Sequence, residues 1–150
     1  MPHSYVSCYM HYVFSTKERI KSINPDMRER LWAYMGGIAK ENNTRAIIVG
    51  GTSNHVHILL ELPSTMPIPK AIQLIKGESS KWVSDTFPTL KNFSWQEGYG
   101  AFSISVSGIQ DTVSYIQNQE KHHQAKTFEE EYVAFLKKHC IDYDEKYVWG

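Results

Sequence analysis

Two histidines lie two residues apart in a stretch that is otherwise almost entirely apolar. His55 and His57 belong to the segment NHVHILLEL at residues 54–62, which follows a Gly-rich stretch and precedes Pro63. This composition and these boundaries predict a strand that the chain enters through a tight turn. Because side chains two residues apart on a strand project from the same face, both imidazoles can present a nitrogen to one metal ion. A His-x-His pair is equally compatible with a plain polar sheet face, so a metal site needs a third ligand.

A second group of polar residues shares one side of a predicted helix. This helix is expected to start at Ser107-Gly108 and to continue to about Glu120 or His122. Tyr115, Gln119 and His122 stand at positions i, i+4 and i+7, which form one helical face. A phenol and a carboxamide are thus displayed together, although an ordinary half-buried tyrosine would fit the same pattern. Because adjacent helical side chains diverge by about 100°, His122 and its neighbour His123 do not easily face one ion together.

Length and composition favour one globular domain over residues 1–150. The chain is 41% hydrophobic, and a domain of this size buries roughly 68–70% of its unfolded surface. No apolar run approaches the ~20 residues of a membrane span, and the N-terminus has no signal-peptide pattern, so we expect no membrane partner. Cys8 and Cys140 lie far apart and match no metal or redox spacing. We therefore expect free thiols and a cytoplasmic location.

The charges balance overall but are unevenly distributed along the chain. Lys and Arg number 16 and Asp and Glu also number 16, which gives a net charge of zero. Residues 1–127 hold 13 basic against 10 acidic residues, and residues 128–150 hold 3 against 6. The body of the domain is therefore mildly basic, which is weak support for a nucleic-acid partner.

The order of the predicted elements indicates the fold class. Periodicity and boundary residues predict a strand over 5–15, a helix from about Pro25 to Glu41, a strand over 44–49, the histidine strand, a helix ending near Phe87, and a strand over 101–106. This β-α-β-β-α-β order predicts an α+β, ferredoxin-like antiparallel sheet. Strands one and three would be central, and helices would cover one face and leave the other available for a site. A last helix over about 128–139 should begin with a capping box of Thr127 and Glu130.

Three lysines share the polar side of the second helix. Lys70, Lys76 and Lys81 lie opposite its apolar stripe. They are compatible with a surface for DNA phosphates or with an ordinary solvated helix face.

Three motifs together resemble a known enzyme family. They are the strand motif His55-Val56-His57, the segment WQEGYGAFSISVS at 95–107, and the run YIQNQEKHH at 115–123 with FEEEY at 128–132. The chain from about Tyr5 to Tyr132 resembles the single-tyrosine HUH transposases of the smallest bacterial insertion sequences, a group that includes the repeat-associated tyrosine transposases. The resemblance implies a metal-dependent transposase for single-stranded or hairpin DNA, with Tyr115 as nucleophile on the helix over about 108–122. It also implies His55, His57 and Gln119 as metal ligands, Mg²⁺ or Mn²⁺ as the ion, and a homodimer.

Phosphoryl-transfer chemistry agrees with these roles. A tyrosine with a reference pKa of about 10 needs activation at neutral pH, and attack on DNA would leave a 5′-phosphotyrosine and a free 3′-hydroxyl. Two imidazoles would suit zinc or manganese better than magnesium. Two other functions remain open: a non-catalytic binding module for single-stranded or hairpin DNA, and a metal-dependent phosphodiester hydrolase that uses a metal-bound water. A covalent protein–DNA adduct would distinguish the transposase from both.

Overall fold

The structure is a computed structural model that describes residues 4–123 and 126–150, without the side chain of His122. Its strands and helices follow the predicted order: β1 Tyr9–Ser15, α1 Pro25–Glu41, β2 Arg45–Gly51, β3 His55–Glu61, α2 Ile68–Thr86, β4 Gly100–Ile104, α3 Ile109–Gln117, α4 Gln119–His122 and α5 Phe128–Lys138. The predicted bounds of α1 are confirmed, and those of β1 and β4 are shorter than predicted. None of the helices in the described ranges combines the length and apolar character that crossing a lipid bilayer requires.

The four strands form one antiparallel sheet in the order β2-β3-β1-β4. Tyr12 pairs with Ile58 in the middle of the β1–β3 ladder, and Val13 pairs with His57. The α+β, ferredoxin-like topology and the central position of β1 and β3 are therefore confirmed. The histidine strand lies between two neighbours, which fixes its register and hence the face from which its histidines project.

The first sheet face packs against α1 and α2. Tyr12, Phe14 and Ile58 are fully buried there, and the apolar stripes of the two helices pack against them, with Leu31 and Met35 from α1 and Ile72 and Ile75 from α2. The Tyr12 hydroxyl donates to the carbonyl of Ile68 at the start of α2, 2.9 Å away. Because strand side chains alternate, this core leaves His55 and His57 on the opposite face.

The second sheet face, which was expected to be open, is covered by α5 and by α3. Val13 and Phe102 of the sheet form a smaller core with Phe128, Tyr132 and Leu136 of α5. Thr127 and Glu130 make the predicted capping box at the start of α5. The apolar side of this amphipathic helix needs a partner, and the sheet supplies it.

The helix that was expected to carry both Tyr115 and Gln119 is divided. It ends as α3 at Gln117, and α4 begins at Gln119, because Asn118 leaves the helical region with φ −101° and ψ 20°. The Asn118 side chain donates to the carbonyl of Ser114 at 2.8 Å, a local bond that competes with the helix. Tyr115 and Gln119 therefore belong to two consecutive helices rather than to one face of a single helix.

Candidate active site

The hairpin between β2 and β3 positions His55 and His57 beneath the helical cover. Both side chains have no exposed surface. A Cβ atom on Gly51 would lie 2.2 Å from the carbonyl oxygen of His55, so only glycine permits the strands to approach this closely. The Nδ1 atom of the His55 ring lies 2.8 Å from Asn54 Oδ1 and 3.0 Å from Thr52 Oγ1. The turn that starts the strand thus also orients the first imidazole.

His57 is oriented by a histidine that the sequence did not single out. His11 of β1 is buried, and its Nε2 lies 2.8 Å from His57 Nδ1. Because Nδ1 is occupied, the Nε2 atom of His57 is left to point into the site. Such a contact with the far nitrogen of the ring is the usual way in which proteins fix the direction of a metal-binding imidazole.

Glu131 of α5 lies at the centre of the site and contacts five of its side chains, one of which is His123. Its Oε1 atom lies 2.9 Å from His57 Nε2 and 3.6 Å from His55 Nε2. Its Oε2 atom accepts hydrogen bonds from the Tyr115 hydroxyl and, at 3.1 Å, from Gln119 Nε2. Gln119 Oε1 in turn lies 2.9 Å from His55 Nε2. The structure therefore brings together all four residues to which the resemblance gave roles, and it adds a buried carboxylate between them.

The ring nitrogens of this site fit a cation. Asn54 Oδ1 only accepts hydrogen bonds, so the proton of the neutral His55 ring belongs on Nδ1 and the Nε2 lone pair is bare. That lone pair faces two further acceptor atoms, Gln119 Oε1 and Glu131 Oε1. A cation between these atoms would convert a repulsive arrangement into a favourable one.

A third imidazole, that of His123, lies close to the Glu131 carboxylate and to the two strand histidines. His123 Nε2 is buried and has no hydrogen-bond partner among the described residues, although it lies 3.2 Å from Glu131 Oε1. One ligand atom from each of His55, His57, His123 and Glu131 lies within 4.8 Å of the others. Imidazole and carboxylate donors suit divalent transition metals. The predicted metal site thus has suitable residues; the identity of its ion, Mg²⁺ or Mn²⁺, stays a prediction.

Burial and charge shift the proton affinities of these groups strongly. Burial, and then the neighbouring His57, lowers the pKa of His55 to about 3, and burial likewise holds the pKa of His11 well below its usual value. Burial opposes ionisation of Glu131, but the adjacent imidazoles of His123 and His57 outweigh it and keep its pKa well below the ordinary value. Burial, and then the hydrogen bond to Glu131, raises the pKa of Tyr115. Without metal, the site therefore holds neutral rings at His55 and His11, an ionised Glu131 carboxylate and an intact Tyr115 phenol.

A cavity beside Tyr115 gives the site its access from solvent. It encloses about 500 Å³, and its walls include Tyr115, Glu131 and His11 together with Lys126 and Lys138.

The three lysines that were predicted to contact DNA lie on α2, which packs on the sheet face opposite the histidines. Lys70 and Lys81 are exposed. The ammonium group of Lys76 instead donates to three backbone carbonyls, those of Gln96, Glu97 and Gly98, at 2.5 to 3.1 Å. Burial lowers the pKa of Lys76 to about 8. Contacts between these lysines and phosphates stay a prediction.

Sequence reasoning missed Glu131 and His11, and it gave His123 little weight. A signal for Glu131 was present, because it stands on the apolar stripe of α5 between Phe128 and Phe135, three residues after one and four before the other. An acidic residue on the buried side of a helix requires a partner. The side chain of His122, which was considered as a site residue, lies outside the described residues.

Comparison with known sequences gives a consistent result. Residues 4–119 match the sequence profile of a family described as "Transposase IS200 like". The transposase for insertion sequence element IS200 of Salmonella typhimurium is 24% identical over 128 residues, which cover 81% of this chain and 84% of that protein. The ISDra2 transposase TnpA of Deinococcus radiodurans is 24% identical over 114 residues, covering 73% of this chain and 81% of that protein.

Two solved structures share the fold. A protein from Deinococcus radiodurans described as a transposase has a TM-score of 0.65 and 24% identity, and the match covers 79% of this chain and 96% of that chain. A tyrosine transposase bound to a REP hairpin has a TM-score of 0.60 and 15% identity, with coverage of 82% and 73%. At these identities the likeness extends to the fold alone.

Proposed function

The chain belongs to the IS200-like transposase family, and from that premise we propose that it nicks and rejoins single-stranded DNA through a covalent bond to Tyr115. One observation supports this most directly. The Tyr115 hydroxyl and the paired imidazole His57 contact the same carboxylate, that of Glu131, inside a site that a cavity opens to solvent. A phenol, a metal-binding pair and an entry path are what a tyrosine transesterification requires.

The reaction can be written from the side chains present. The phenolic oxygen of Tyr115 attacks phosphorus while its proton leaves toward Glu131, the carboxylate that already accepts it. A phosphorus–oxygen bond to tyrosine forms, the bond to the 3′-oxygen of the preceding nucleotide breaks, and that oxygen leaves as a 3′-hydroxyl after protonation. Attack by a 3′-hydroxyl on the phosphotyrosine reverses these events and frees the phenol. The ester conserves the energy of the bond, so no nucleotide cofactor is needed.

The metal would be held by His55 and His57, with the Gln119 carboxamide as the third ligand. Gln119 Oε1 of α4 lies 2.9 Å from His55 Nε2, and His55 and His57 have ring nitrogens within 4.8 Å of each other, which supports this set of ligands. When bound, a divalent ion would supply positive charge that stabilises the non-bridging phosphate oxygens and makes a phenolate less costly. We propose that this ion is Mg²⁺ or Mn²⁺. Of the two, Mn²⁺ accepts imidazole ligands more readily.

The partner we propose is single-stranded or hairpin-forming DNA. The support is family membership together with the printed description of one structural relative, which is bound to a REP hairpin. We also propose a homodimer. Within one chain Tyr115 already lies beside His57 and Glu131, so the phenol and the histidine strand can come together without a second chain.

The experiment that tests the function is detection of the covalent intermediate. A labelled hairpin oligonucleotide is incubated with the protein and Mn²⁺, and the products are separated on a denaturing gel. We expect an adduct whose modified residue is located by mass spectrometry at Tyr115. Tyr115→Phe should form no adduct, because it lacks the attacking oxygen. Tyr132→Phe is the matched control and should still form it.

Three outcomes would contradict the proposal in different ways. Persistence of the adduct in Tyr115→Phe would assign the nucleophile to another residue. Cleavage to a free 5′-phosphate without any adduct would indicate the metal-dependent hydrolase. Tight hairpin binding with neither cleavage nor adduct under any metal would indicate a DNA-binding module.

A further inference from the structure

Glu131 and His123 lie beyond residues 4–119, the segment that matches the family profile. They are nevertheless part of the site, because α5 and the turn after α4 fold back over the histidine face of the sheet. Glu131 is only 2% exposed. A carboxylate is not placed in such an environment without compensating contacts, since transfer of an ion from water is costly.

The two oxygens of Glu131 have different environments. Oε2 receives the hydroxyl of Tyr115 and the amide of Gln119, both of which are hydrogen-bond donors. Oε1 instead faces three imidazole nitrogens, at 2.9 Å from His57 Nε2, 3.2 Å from His123 Nε2 and 3.6 Å from His55 Nε2. Hydrogen bonding to the phenol therefore accounts for one oxygen only. The other oxygen, Oε1, lies close to three imidazole nitrogens.

The nitrogens around Oε1 are not explained by hydrogen bonds alone. His55 Nε2 carries a lone pair that faces acceptor atoms, and His123 Nε2 is buried without a hydrogen-bond partner among the described residues. Three imidazoles and one carboxylate that converge in this way form a set typical of a transition-metal centre.

We propose that Glu131 and His123, supplied by the C-terminal part of the chain, are ligands of the same ion that His55 and His57 bind. This inference rests on the proposed function only for the presence of a metal. The bound ion then bridges β3 and α5, and the helical cover becomes a structural part of the metal centre. The added imidazole and carboxylate favour Mn²⁺ or Zn²⁺ over Mg²⁺, which prefers ligands that are all oxygen.

The test measures metal affinity rather than activity. Mn²⁺ and, separately, Zn²⁺ are titrated into the full-length protein by calorimetry, in wild type, Glu131→Gln, His123→Ala and Glu129→Gln. Glu129→Gln is the matched control, because it removes the same charge two residues earlier on the same helix, but from a side chain that is 46% exposed and paired with Arg19. Loss of a ligand should weaken binding by at least about tenfold in the first two variants. The control should stay within about threefold of wild type.

Further measurements keep the result interpretable. Circular dichroism verifies that each variant is folded, and Glu131→Asp, which keeps a carboxylate on a shorter stem, should bind more tightly than Glu131→Gln. Hydrogen exchange supplies an independent readout: saturating Mn²⁺ should slow exchange of the α5 amides in wild type and in His123→Ala, but not in folded Glu131→Gln, which lacks the ligand that α5 supplies.

The inference and the proposed function can fail separately. Wild-type affinity in both Glu131→Gln and His123→Ala would overturn the inference and leave the tyrosine reaction intact. Wild-type affinity in His123→Ala alone would remove His123 from the ligand set. If Tyr115→Phe still forms a DNA adduct while Glu131→Gln loses metal, the tyrosine mechanism fails and the metal ligands stand. Absence of any metal binding by wild type would overturn both.

Discussion

Acidification of the metal-free protein should reduce its stability well before the carboxylates of the chain are protonated. His55 is fully buried, and burial and the adjacent His57 lower its pKa to about 3. In the unfolded chain a histidine has a pKa of about 6.5, so below that pH the unfolded state binds a proton that the folded state does not. Between pH 7.5 and pH 5 this difference costs about 2 kcal/mol of the free energy of unfolding for His55 alone.

Two neighbouring groups also affect how the free energy of unfolding changes with pH. The lowered pKa of His11 has the same sign and adds to the loss over the same pH range. The pKa of Glu131 is also lowered, so its ionised form stabilises the fold above the unfolded value of about 4.3. That contribution remains at pH 5 and is lost only as the pH falls further.

The assay is urea denaturation followed by circular dichroism, with a chelator present at each pH. In a parallel thermal denaturation, a loss of about 2 kcal/mol corresponds to a fall of roughly 4–8 °C in melting temperature for a chain of this length. His55→Asn removes the titrating ring, and its stability difference between the two pH values should be smaller than that of wild type. A wild-type stability that is flat between pH 7.5 and pH 5, or an equal pH dependence in His55→Asn, would refute this account of the buried ring.

The remaining predictions concern the lysines and the glycines. A double Lys70→Gln and Lys81→Gln variant should reduce the slope of log affinity against log salt by about 1.4 on single-stranded DNA, and an unchanged slope would mean that DNA lies elsewhere. Lys76→Gln should lower the melting temperature, because the ammonium group of Lys76 donates hydrogen bonds to three loop carbonyls that the variant would lose. Gly51→Ala should cost about 3 kcal/mol in urea denaturation and weaken metal binding, since a Cβ there would meet backbone at 2.2 Å. Gly77→Ala, whose Cβ meets nothing within 4 Å in α2, is its control and should stabilise by up to about 1 kcal/mol; equal stabilities for the two variants would contradict the steric argument.

The features that local sequence determined are those that depend on short-range periodicity. Alternation along β3 placed His55 and His57 on one face, and Pro25 with the apolar stripe after it defined α1. Thr127 and Glu130 specified the start of α5. Each of these follows from residues within a few positions of one another, where backbone geometry and hydrogen bonding are set by the nearby chain. The element order then limited the topology to a few arrangements, and the ferredoxin-like one is observed.

Tertiary structure decided which groups complete the site. His11 meets His57 across 46 residues of sequence, and Glu131 meets it across 74. The periodic pattern of α5 shows that the helix has a buried side but does not identify the surface that covers it. Only the packing of Phe128 and its neighbours on the second sheet face places the Glu131 carboxylate among the imidazoles. The chemistry of single residues can be read locally, but contacts between distant elements depend on how their apolar faces are paired, which a single sequence leaves open.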